Sequence, residues 1–125
     1  MKGKILASLV LFLCTSLTLA DPTILVPTQN PDATYRLFNT QNIYTLLKLD
    51  TREGLIWQVQ WGDKAHRFVV PLNLVELALG TGKPGRFTLY PTSNIYTFIL
   101  LDQETGSTWY VQWGKADERF VVPIA

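Results

Sequence analysis

The sequence predicts an all-β protein: two tandem four-stranded antiparallel repeats, packed on one another with pseudo-two-fold symmetry as a sandwich or barrel, behind a cleaved signal peptide. Three observations predict it. The segment 35–72 aligns with 87–124 at a constant offset of 52 without a gap, and 19 of the 38 paired positions are identical, which chance does not produce. Each copy alternates short runs rich in β-branched and aromatic residues with turn signals, the pattern of strands joined by tight connections. Finally, 47% of the residues are hydrophobic, the composition of a chain that folds around a core.

The chain opens on a leader. Lys2 and Lys4 precede an apolar run, Ile5–Leu13, and a stretch of small residues from Cys14 to Ala20. This is the layout of a secretory signal, with Thr18 and Ala20 at the positions a signal peptidase requires. The apolar run is too short to span a bilayer, which takes about 20 residues. Residues 1–20 are therefore expected to be removed after Ala20, leaving one secreted or periplasmic domain, 21–125, with no stable membrane insertion. Loss of Lys2 and Lys4 takes the formal charge from +1 to −1, and loss of Cys14 leaves no cysteine. A disulfide framework is excluded, and so is nucleic-acid binding by bulk charge, which needs clustered Lys and Arg.

After the leader, Thr23–Val26 reads as an added strand and Pro27–Asp32 as a loop. In copy one (35–72), Asn42-Ile43-Tyr44-Thr45 opens the second strand, Asp50-Thr51-Arg52-Glu53-Gly54 is a hairpin turn, and Trp57–Trp61 lies in the third strand. Arg67-Phe68-Val69-Val70-Pro71 forms the fourth. The linker 73–85 contains Leu74–Leu79, which periodicity leaves open between strand and helical turn, and the loop Gly80–Gly85. Copy two (87–124) repeats the pattern: a first strand ending at Tyr90, a turn over Pro91–Asn94, then strands Ile95–Asp102, Ser107–Trp113 and Arg119–Ile124. Alternation puts Trp57, Val59 and Trp61 on one face, as it does Trp109, Val111 and Trp113, and both sets are expected to be core. In copy two the second strand is apolar on both faces, so it is expected either to sit deeper in the fold or to present Tyr96, Phe98 and Leu100 to a partner or to a second copy of the chain.

Catalytic chemistry is scarce. His66 is the only histidine, and copy two has Glu118 in its place. A nucleophile–base pair or a His/Cys metal site lacks its ligands, and no cofactor is expected. Asp50 and Asp102 are equivalent and could form a hydrolytic carboxylate pair, but Asp before a hairpin turn ordinarily accepts backbone N–H bonds. Gly80-Thr81-Gly82-Lys83 is followed by Pro84, so it is not a phosphate loop.

Leu101-Asp102-x-x-Thr105-Gly106-x-x-Trp109 resembles the hairpin of blades in quinoprotein-type (PQQ-repeat) β-propellers; copy one has Leu49-Asp50-x-x-Glu53-Gly54-x-x-Trp57. The resemblance covers nine residues per copy, and those blades place Trp one residue further from Gly. It implies a similar hairpin, not the cofactor or the activity.

The expected function is that of an exported, non-catalytic binding module for a protein or a carbohydrate. Its expected contact residues are the aromatic and amide side chains that the Trp-Val-Trp core does not use: Tyr44, Gln58, Gln60, Tyr96, Tyr110 and Gln112. The alternative is a self-associating structural protein of the cell envelope. A small hydrolase using Asp50 and Asp102 ranks third.

Overall fold

The computed structural model describes residues 28–124 and the isolated Gly3. The expected leader, its cleavage after Ala20, Cys14 and the strand expected at Thr23–Val26 lie outside the described residues. Eight strands form two antiparallel sheets in simple meander order. The first holds β1 (Tyr35–Asn39), β2 (Thr45–Asp50), β3 (Ile56–Gln60) and β4 (Phe68–Pro71). The second holds β5 (Phe87–Pro91), β6 (Thr97–Asp102), β7 (Thr108–Gln112) and β8 (Phe120–Pro123). One short 3-10 turn precedes the last strand of each sheet, Lys64–His66 and Ala116–Glu118. The linker segment Leu74–Leu79 is neither strand nor regular helix; it turns, with Leu79 at φ 54°.

The two copies share register as well as sequence. Leu37, Lys48, Trp57 and Pro71 lie in one row across the first sheet, and Leu89, Leu100, Trp109 and Pro123 in the same row across the second. These rows lie on what we term the back of each sheet. The front carries Phe38, Leu47, Gln58 and Val70 in copy one, and Tyr90, Ile99, Tyr110 and Val122 in copy two.

The sheets pack as a sandwich around one apolar cluster, and the faces that meet are unlike. Copy one contributes its front, with Leu47, Leu49 and Ile56 fully buried. Copy two contributes its back, with Phe87, Leu89, Phe98, Leu100, Val111 and Trp113 buried. The hydrogen bonds of Gln58 cross in the same sense: its Oε1, on the front of copy one, accepts from the Gly114 N–H at 3.0 Å and from Arg119 Nε at 3.1 Å. The Arg119 guanidinium also lies 5.3 Å from the ring centre of Phe68. An interface between like faces would bury equivalent residues; here the copies stack front to back.

This stacking corrects one expectation and decides between two others. Trp109, Val111 and Trp113 do pack into the core, but Trp57 and Val59 are only half-buried on the open back of copy one, and Trp61 is 53% exposed against 3% for Trp113. Equal residues at equal positions have unequal burial because only one of the two backs is covered. Of the two readings of the second strand of copy two, the structure shows the deeper position and not a face left for a second copy. Phe98 and Leu100 are covered by copy one within the same chain, and only Tyr96 is exposed.

Candidate functional site

The repeated residues Asn42 and Asn94, Tyr44 and Tyr96, and the Trp-Gly and Arg positions build one kind of corner twice. Asn42 Oδ1 accepts the Tyr44 N–H at 2.8 Å, and Asn94 Oδ1 that of Tyr96 at 2.9 Å, a local turn that short amide side chains favour. The Thr40 hydroxyl donates to the Thr45 carbonyl and Thr92 to Thr97, closing each turn. Each Tyr then packs on the Trp that ends the third strand, with ring centres 5.4 Å apart for Tyr44–Trp61 and 4.9 Å for Tyr96–Trp113. Gly62 and Gly114 follow at φ 145° and 142°, where a β-carbon would lie against the tyrosine ring. Arg67 and Arg119 donate Nε to the carbonyls of those glycines at 2.9 and 2.8 Å.

The expected contact residues divide among these surroundings. Gln58 is buried and accepts two hydrogen bonds from the other sheet's loop and Arg119. Tyr44 and Gln60 line a cleft of about 250 Å³ with Trp61, Gly62, Asp63 and His66. There His66 Nδ1 lies 2.6 Å from Asp63 Oδ1, and the hydrogen bond with His66 holds the Asp63 carboxyl below its ordinary range. Tyr96 sits in the equivalent corner of copy two, beside the buried Trp113. Tyr110 and Gln112 lie together on the front of copy two, where the Tyr110 hydroxyl donates to Gln112 Oε1 at 2.9 Å.

Asp50 and Asp102 are buried in separate hairpins. Asp50 accepts from the Arg52 N–H and guanidinium at 2.9–3.2 Å. Asp102 accepts from Arg86, from the Thr105 hydroxyl and from the backbone N–H groups of Glu104 and Thr105. Burial alone would raise the Asp102 pKa, but these donors outweigh it and hold the pKa at about 2. Both carboxylates therefore have their lone pairs committed to turn geometry. Among the described residues, no three His, Cys, Asp or Glu side chains stand close enough to hold a metal ion, and no helix is long and apolar enough to cross a membrane.

Glu53 has a role that the sequence reading missed. It occupies the position of Thr105, and its buried carboxylate accepts the backbone N–H of Gly80 at 3.0 Å and of Gly82 at 2.8 Å, pinning the linker. The signal was present in the alignment: Glu53 breaks the repeat at a turn position, and the glycines it binds lie in the segment that joins the copies.

Among the described residues, the two outer sheet faces carry exposed apolar side chains. The back of copy one presents Tyr35, Leu37, Trp61 and Val69 exposed, with Leu46, Trp57 and Val59 half-buried. On this face Lys48 Nζ lies 4.7 Å from the centre of the Trp57 ring. The front of copy two presents Tyr90 and Val122 exposed, with Ile99, Leu101, Tyr110 and Phe120 half-buried. No family model matches the chain, and no curated protein or solved structure matches it.

Proposed function

We propose that the chain is a non-catalytic, exported protein-binding module that works through its two outer sheet faces. The carrying observation is that both faces keep apolar side chains exposed to solvent. Tyr35, Leu37, Leu46, Trp57, Val59, Trp61 and Val69 match, position for position, the residues Phe87, Leu89, Phe98, Trp109, Val111, Trp113 and Val121 that copy two packs against copy one. A face used only against water has no reason to keep this set, and contiguous exposed apolar area on a soluble protein marks a contact surface. The non-catalytic part of the reading is supported by the commitment of Asp50 and Asp102 to turns and by the exposed position of the single His66–Asp63 pair. Export is supported by the leader sequence.

A photo-cross-linking side chain placed at Leu37 and, separately, at Val122 tests the reading in cells that produce the protein. Discrete protein adducts from these sites, with none from the exposed linker position Lys83, are expected. No adduct from either face overturns it. One observation favours a second reading, a carbohydrate ligand: the cleft of Tyr44, Gln60, Trp61, Asp63 and His66 combines two aromatic rings with polar groups. Binding to a glycan panel that is lost in Tyr44→Ala is expected under that reading, and no binding to any glycan refutes it.

A further inference from the structure

We infer that the partner of these faces is a second copy of the chain, and that copies join front to back into a closed ring. This rests on the protein-binding reading and names its partner. The chain already contains the contact once: the front of one repeat covers the back of the other. Among the described residues that contact leaves the back of copy one and the front of copy two open, and these are the two halves of the same interface. Setting the front of copy two on the back of copy one in the next molecule repeats the internal packing. Like the internal contact, such an interface is heterologous, so it leads to a ring when the rotation closes and to a filament when it does not. Four-stranded sheets arranged by radial repetition close at about four to eight sheets, which here means about two to four chains.

Details of the two faces carry the repeat further. Arg119, held by the Gly114 carbonyl, lies over Phe68 of the front it covers. Arg67 is held by the Gly62 carbonyl in the same way, and the residue equivalent to Phe68 is Phe120, on the open front of copy two. Arg67 is thus poised for Phe120 of the next chain, a cation–aromatic contact. Gln58, which accepts the Gly114 N–H and Arg119, is replaced by Tyr110; with its proton given to Gln112, the Tyr110 oxygen keeps lone pairs for the equivalent donors, Gly62 and Arg67. Lys48 lies on the back of copy one at the position where copy two fully buries Leu100. Its stem lies along apolar surface and its ammonium over Trp57. The receiving front carries hydroxyls at Tyr90 and Thr108 where copy one has Phe38 and Ile56.

The test uses the chain as recovered from the producing cell, and two variants that each block one face. Leu37→Asp/Val69→Asp charges the back of copy one, and Tyr90→Asp/Val122→Asp charges the front of copy two; all four positions are exposed in the single chain. Light scattering of the parent chain at micromolar concentration is expected to give a uniform mass of two to four chains. Each variant alone is expected to be monomeric, with self-association weakened about a hundredfold or more by the buried, unpaired carboxylates. Mixing the two variants is expected to give a one-to-one complex, because one open front and one open back remain. A monomeric parent overturns the proposal, as does an open-ended range of sizes. A single variant that still dimerises overturns it too, since that requires like faces to meet. A circular dichroism spectrum matching the parent and a cooperative thermal transition confirm that the variants fold. A monomeric parent whose Leu37 and Val122 sites still cross-link to a different protein overturns self-assembly and leaves the binding reading standing; no cross-link at all overturns both.

Discussion

Glu53 shows how one substitution inside a repeat redirects a turn. In copy two the equivalent Thr105 donates to Asp102 and closes its own hairpin; in copy one the longer carboxylate reaches out and binds two N–H groups of the linker. Removing it leaves two backbone donors without their acceptor, so Glu53→Ala is expected to lower stability by about 1–3 kcal/mol in urea unfolding. An unchanged midpoint refutes that role. Asp102 acts within its own hairpin and on Arg86, and its signature is pH. Its folded pKa of about 2 lies below the unfolded carboxylate value. The contribution is therefore fully present above the unfolded pKa and disappears as pH falls through about 2, amounting to about 1–2 kcal/mol. Asp102→Asn is expected to lower stability at neutral pH and to flatten its decline between about pH 4 and 2. A parallel decline in both proteins counts against this assignment. The sequence made Asp102 legible as a turn residue, because Asp before a hairpin turn has a local meaning. It did not make Glu53 legible as a linker clamp, because its partners lie 27 and 29 residues away.

At the scale of the element, alternation correctly put Trp, Val and Trp on one side of the third strand in each copy. Period two fixes which residues share a face. It cannot fix what lies opposite that face, and here the same pattern is core in β7 and surface in β3. The strands and hairpins were readable from local chemistry, whereas Leu74–Leu79 was not. Its conformation is decided by Leu77 and Ala78 packing against the core and by the Leu77 N–H donating to the Glu53 carbonyl at 2.8 Å. The two tryptophans that end the third strands give a paired test. Trp113→Ala removes a buried ring, whose indole also donates to the Ile95 carbonyl at 3.0 Å, and is expected to cost about 3–5 kcal/mol. Trp61→Ala removes an exposed ring from the isolated chain and is expected to cost less than about 1 kcal/mol at high dilution. Equal losses in dilute chemical denaturation contradict the front-to-back packing.

For the whole molecule, the duplication was visible in the sequence and the direction of stacking was not, because the alignment treats both faces of a strand alike. The consequence of that direction is thermodynamic as well as geometric. A stack of two sheets with unlike ends buries one front and one back and leaves the complementary pair in solvent. Any species that binds only the folded chain stabilises it by mass action, and here the chain itself is that species. Each tenfold rise in concentration shifts the folding free energy of an assembling chain by up to about 1.4 kcal/mol. Since about 1 kcal/mol moves the midpoint of a domain of this size by about 4–8 °C, the thermal midpoint is expected to climb by several degrees per decade of protein concentration. In Leu37→Asp/Val69→Asp the same series is expected to be flat, and mixing it with Tyr90→Asp/Val122→Asp is expected to restore the slope. Lys48 adds a sign to the test. Lys48→Leu gives the back of copy one the residue that copy two buries at Leu100, so its midpoint is expected to rise at high concentration while staying at the parent value in dilute solution. A midpoint independent of concentration in the parent chain and in Lys48→Leu means that the two open faces do not recognise each other.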